Sequence, residues 1–197
     1  MTQWLLRMNM TKSTFIRLSG WGLVGAAVAL LLTFVPVPTA FLSAILLITL
    51  GLLGLYARYG EQASQLGKIA LSIGILGGGA GIIASLLLAL GAESWRPTMN
   101  NAMVVMFAGL LAFGLIILRV KPMPYGNGLP LLAGFMWPFM VLGANGYHLV
   151  TGQWLNVPGW LSFTLFAITA FFLAWLGYVL QADASPSNVH SSWMVKL

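Results

Sequence analysis

Asn145 and His148 stand three residues apart, and Trp137 precedes them by two to three helical turns, directly before Pro138. On a helix, residues three apart share a face. An amide, an imidazole and an indole can hydrogen-bond and stack, so this set suits the binding of a neutral or lipidic molecule. It lacks the parts for making and breaking bonds. The chain has three acidic residues, two histidines and no cysteine. Glu61 and Glu93 fall in links between apolar runs, and Asp183 falls in the C-terminal tail. No HExxH, P-loop or GxGxxG pattern occurs. His148 and His190 fall on opposite sides of the expected membrane, so they cannot jointly sandwich a haem. A lone histidine offers no metal-ligand spacing. No catalytic residue, no metal and no cofactor is therefore expected, with a single pigment or haem on His148 as the one alternative. The chain is read as not an enzyme.

The residues that must position this set are apolar. Of 197 residues, 59% are hydrophobic and 6% are charged, against about 25% charged in a soluble domain. Such a surface is not kept in water, so the solvent is largely lipid. A spanning helix needs about 20 predominantly apolar residues. Six runs qualify: residues 18–36, 39–57, 69–90, 101–118, 128–150 and 157–180. The expected fold is all-α, a polytopic membrane protein with a bundle of six transmembrane helices. A basic interfacial segment (1–17) precedes this domain (18–180), and a polar tail (181–197) follows it. The first apolar run is longer than a cleavable signal segment allows, so no cleavage is expected. Trp4, Leu5, Met8 and Phe15 can share one helical face, with Arg7, Lys12 and Arg17 elsewhere, as in a short helix lying on the inner leaflet.

Charge sets the expected orientation. With the N-terminus inside, Arg7, Lys12, Arg17, Arg58, Lys68, Arg119, Lys121 and Lys196 lie on the cytoplasmic side, and only Arg96 lies outside. This excess of basic residues on one side predicts that both termini are cytoplasmic. The positive charge is thus spent on orientation, and nucleic acid is not an expected partner. Tyr56, Tyr59, Tyr125, Tyr178, Trp21 and Trp175 fall near the inner boundary, and Trp95, Tyr147, Trp154 and Trp160 near the outer one. They read as two interfacial belts.

Residues 69–90 are expected to form the central helix. Gly67, Ala70, Gly74, Gly77, Gly81 and Ala84 make one stripe of small residues, and Gly74, Gly78, Gly81 and Ser85 make a second beside it. In lipid, small residues promote helix contact by close backbone approach. The spacing predicts packing rather than an unwound stretch at residues 77–79. Pro138 predicts a kink, because it removes a backbone donor and clashes with the carbonyl four residues earlier.

Arg17-Leu18-Ser19-Gly20 and the run Gly51-Leu52-Leu53-Gly54-Leu55-Tyr56-Ala57-Arg58 resemble uncharacterised small six-span proteins of bacterial inner membranes. The resemblance covers the first third of the chain and implies a multi-pass protein of the cell inner (cytoplasmic) membrane. It brings no activity with it. The leading functional expectation is a non-catalytic accessory or scaffolding subunit of a larger membrane complex. Its partners would then be the lipid bilayer and other membrane subunits. The alternative is a binding or transport protein for a neutral or lipidic small molecule, centred on Asn145, His148 and Trp137. A single-histidine pigment or haem carrier is the further alternative.

Overall fold

The computed structural model describes residues 2–35, 39–123, 125–153 and 157–183, with the backbone alone for residues 2–11. Among these residues there are six long helices: α1 (Thr2–Leu32), α2 (Ala40–Tyr59), α3 (Ser64–Ala89), α4 (Arg96–Val120), α5 (Leu129–Thr151) and α6 (Gly159–Asp183). A 3-10 turn, Glu93–Trp95, leads into α4. All six helices are long and apolar enough to cross a membrane. Helix ends exceed the apolar runs where polar residues can stand among headgroups. Thus α3 begins at Ser64, α4 at Arg96, and α6 continues to Asp183.

The interfacial segment is continuous with the first span. No proline or glycine interrupts the chain before Gly20, and α1 is one helix of 31 residues. That length is about 46 Å at 1.5 Å per residue, more than the ~30 Å of a hydrocarbon core. The stretch apolar enough to cross is Lys12–Leu32.

The helices form a closed ring in chain order. Each packs on the next, and α1 packs on α6. The expectation of a central third helix is not met: α3 has α2 and α4 as its helical neighbours and takes a place in the ring like the others. Its two small stripes divide between those neighbours. A Cβ on Gly77 would lie 2.6 Å from Met106 N of α4, and one on Gly74 would lie 3.2 Å from Met106 O. Gly78 faces Thr49 of α2, and Gly81 stands between Ile45 of α2 and Ala102 of α4. Gly67, Ala70, Ala84 and Ser85 are buried as well. The helix is regular through residues 77–79.

Other contacts follow the same rule. At the α1–α6 contact, a Cβ on Gly177 would lie 2.5 Å from Gly20 O. At the α1–α2 contact, Gly51 faces Leu23 and Gly54 faces Ser19. At the α4–α5 contact, a Cβ on Gly134 would lie 2.9 Å from Phe107 O, and Gly114 faces Leu131. Among the buried hydroxyls that of Ser85 has no partner among the described residues, while those of Ser19, Thr49 and Thr169 bond the carbonyl four residues back in their own helices, at 2.9, 2.8 and 3.0 Å. These last three are therefore satisfied locally, and close approach at glycine holds the helices together.

The α3–α4 contact gives a direct test. A Cβ at Gly109 would sit 2.5 Å from Gly74 N and 2.7 Å from Ala70 O, both backbone atoms. Gly109→Ala should lower stability by about 1–3 kcal/mol through overpacking. Gly79 has nothing within 4 Å of its Cβ position, so Gly79→Ala should be neutral or slightly stabilising. Thermal unfolding of the two variants in detergent checks the contrast.

Candidate ligand-binding site

Even helix number puts the start of α1 and the end of α6 on one side of the ring, the termini side. On the opposite side the ring is uneven. The helices α1 to α4 keep buried residues there, among them Leu30, Ala44, Ala84 and Met103. By contrast, no described residue between Phe139 and Ile168 is buried. In α5 burial ends at Pro138, and in α6 it begins at Thr169. The α5–α6 contact is also the least extensive of the six around the ring. It has no helix glycine in it: Gly143, Gly146 and Gly159 have nothing within 4 Å of their Cβ positions.

Pro138 lies inside a helix assigned without a break from Leu129 to Thr151, and it is itself buried. It marks the residue at which α5 stops burying side chains against its neighbours.

Trp137 stands at the base of this loose region. It lies eight residues into α5, about 12 Å from the helix start and about 21 Å from its end. Its ring stacks on Phe107 of α4 at 6.0 Å, meets Phe166 of α6 edge-on at 5.6 Å, and lies 6.3 Å from Phe41 of α2. Phe34, just past α1, extends the cluster by meeting Phe163 and Phe166 edge-on, each at 5.2 Å. Every helix but α3 thus brings an aromatic ring from itself or from the residue just past its end. Such centroid distances are those of favourable aromatic pairs. The Trp137 Nε1 atom is buried and has no hydrogen-bond partner among the described residues.

Above Trp137, positions 141, 144 and 148 continue its face of α5 at spacings of four, three and four. Val141, Ala144 and His148 are all half-buried, as is Trp137. Asn145 points elsewhere and is exposed. The three expected ligand residues therefore do not form one cluster. Trp137 and His148 share a face about three turns apart, and Asn145 lies off it. Among the described residues, no three metal-ligating side chains come together. His190 lies outside the described residues.

The other polar groups lie at the two ends of the ring. Glu93 and Arg96 pair with each other at 2.7 Å, both well exposed. Glu61 is exposed. On the termini side, Asp183 Oδ2 accepts hydrogen bonds from Arg58 Nε and from Tyr59 OH, each at 2.8 Å. This joins the ends of α2 and α6, which otherwise barely touch. Asp183 therefore belongs to the last turn of α6 rather than to a solvated tail. Tyr59 departs from the expected belt, since it is 1% exposed and its hydroxyl is held by Asp183. Tyr56, Tyr125, Tyr178, Trp21, Trp175, Trp95, Tyr147 and Trp160 are exposed, as lipid-facing rings must be. Trp154 lies outside the described residues. The pairing could have been suspected from sequence, because Arg58 and Asp183 each close a span on the same side.

No protein-family model, curated protein or solved structure matches the chain. The reading of the site rests on its geometry.

The Arg58–Asp183 link is a test of how the ring is closed. The Asp183 side chain is 12% exposed and that of Arg58 is 35% exposed. Removing one partner of a fully buried pair costs ~3–5 kcal/mol; with a third of Arg58 in contact with solvent, Asp183→Asn should cost about 1–2 kcal/mol. Tyr59→Phe, which removes one neutral donor, should cost about 1 kcal/mol. Thermal unfolding of the single and double variants should show the two losses to be non-additive, because both act on one carboxylate.

Proposed function

We propose that the chain is a non-catalytic protein of the bacterial inner membrane that binds a neutral or lipidic molecule, with both termini cytoplasmic. One observation carries the reading: the α5–α6 seam, alone among the six, lacks a helix glycine and has no fully buried residue among the described ones between Phe139 and Ile168, and it leads to the aromatic cluster around Trp137. Binding sites are concave, largely apolar and fitted with a few polar groups. Lipid has direct access to this seam. The ligand would lie along Val141, Ala144 and His148 with its inner end against Trp137. Among the described residues no Asp, Glu, Lys or Arg lies in the middle of a span, which suits a neutral cargo.

A second reading, the accessory subunit, is favoured by a different face of α5. Gly143 and Gly146 leave open space where a Cβ would be, and small residues on a lipid-facing surface let another helix approach. The small stripes of α3 no longer support that reading, because α2 and α4 occupy them.

Native purification separates the two. Under the binding reading, a neutral lipid co-purifies in near-stoichiometric amount with the lone chain. Ala144→Trp, which fills the seam, should reduce that lipid about tenfold, the factor that ~1.4 kcal/mol represents. Asn145→Ala should leave it unchanged. A preparation free of neutral lipid but joined to other membrane proteins would favour the accessory subunit instead.

The orientation rests on the basic residues and has a convenient test. The chain has no cysteine, so single cysteines report cleanly. Gln62→Cys and Gly126→Cys should react with a membrane-impermeant maleimide only from the cytoplasmic side. Gly91→Cys and Gln153→Cys should react from the outside.

A further inference from the structure

We propose that the Trp137 Nε1–H is the hydrogen-bond donor that receives the ligand's polar group, and that the ligand is a long, uncharged apolar molecule bearing an acceptor oxygen, such as a ketone, ester or ether. This rests on the binding reading above and names the chemistry of the same site.

An indole N–H donates and cannot accept. When buried, it ordinarily finds a partner. Here it is fully covered and has none among the described residues. Its ring contacts are with Phe41, Phe107 and Phe166, which offer no acceptor oxygen. A buried water needs two to four polar partners, and these rings supply none. The position also matters. Trp137 lies about 12 Å along α5 from its start, inside an apolar span, where lipid tails carry no acceptor and an unmet donor is costly. The loose α5–α6 seam is the side from which an acceptor could arrive. The proposed site thus has an apolar wall, one loosely packed side, and an unmet donor at its base.

The same geometry excludes other classes. A cationic head would bring further donors to a donor. An anionic head would need a cation, and none is at hand among the described residues. Arg96 is 11 residues of helix from Phe107, or about 16 Å, and is paired with Glu93. Phe166 is 17 residues of helix from Asp183 and the Arg58 it holds, or about 25 Å. An unpaired charge at that depth is strongly disfavoured. A hydrocarbon would fit the rings but leave the N–H unmet.

The test uses the full chain in detergent with two probes of equal length, methyl decyl ketone and dodecane. Wild type should bind the ketone about fivefold to tenfold more tightly than the alkane, as one buried neutral hydrogen bond implies. Trp137→Phe keeps a ring in the cluster and removes the donor, so it should bind both probes alike. A variant-independent measurement comes from 15N-tryptophan labelling. Of the eight indole N–H signals, one per tryptophan, one should move downfield with the ketone and none with dodecane. Equal binding of both probes by wild type, with no indole signal displaced, would overturn the donor assignment while leaving the seam as a binding site. Binding of neither probe would overturn the site itself.

Discussion

Backbone contact at glycine is the constraint on which the ring depends. Within lipid, apolar side chains gain little by leaving the tails, so helices adhere where their backbones come close enough for dispersion over many atoms. Three of the six seams contain such a place, α1–α6 at Gly20 and Gly177, α3–α4, and α4–α5 at Gly114 and Gly134, while at α1–α2 and α2–α3 a glycine receives a partner side chain. At each, even one methyl group would strike backbone or a packed side chain. The α3–α4 seam is the most extensive, with Gly74, Gly77 and Gly109 meeting the partner backbone. These contacts, with the side-chain contacts at α1–α2 and α2–α3, hold α1 to α4 together.

The sixth seam shows what happens without glycine. The helices α5 and α6 are tied to the ring by their termini-side halves, α5 through Gly134 on α4 and α6 through Gly177 on α1. Beyond Pro138 and before Thr169 neither helix buries a residue. On the termini side the Arg58–Tyr59–Asp183 link adds a further brace between α2 and α6. The molecule is thus closed at one end and loose at the other. Under the proposed binding role, closely packed α1 to α4 facing a less closely packed pair of half-helices would admit a bulky apolar molecule without unfolding the rest.

The spans were legible from the sequence because lipid imposes length and hydropathy directly on each segment. The small stripes of α3 were equally plain, but not the helices they meet. A glycine stripe records that something comes close, and α2 and α4 could not be named from it. Tyr59 was misread for a related reason. At the end of an apolar run it looks like Tyr56, and only the arrival of Asp183 from the other end of the chain buries it. Trp137 was noticeable beside Pro138, yet its surroundings were not. Phe34, Phe41, Phe107 and Phe166 come from four separate segments and follow no common period. Asn145 was grouped with His148 by spacing alone, and a difference of three residues was enough to carry it off the face that Trp137 and His148 share.

The placement of charge completes the physical picture. The acidic residues Glu61, Glu93 and Asp183 all lie at helix ends or in links, and two of them are paired. With charge held at the rims, recognition inside has dispersion, ring stacking and a hydrogen bond to work with. In a low dielectric a lone hydrogen bond is stronger and more discriminating than in water, and its absence is more costly. An unmet buried N–H costs about 1–3 kcal/mol, small enough for a folded protein with ~5–15 kcal/mol of stability to tolerate. It is also large enough for a ligand that meets it to be preferred over the surrounding lipid. Under the proposed binding role, a single donor in an apolar, aromatic setting would supply selectivity without a charged group, which is the form of selectivity this composition permits.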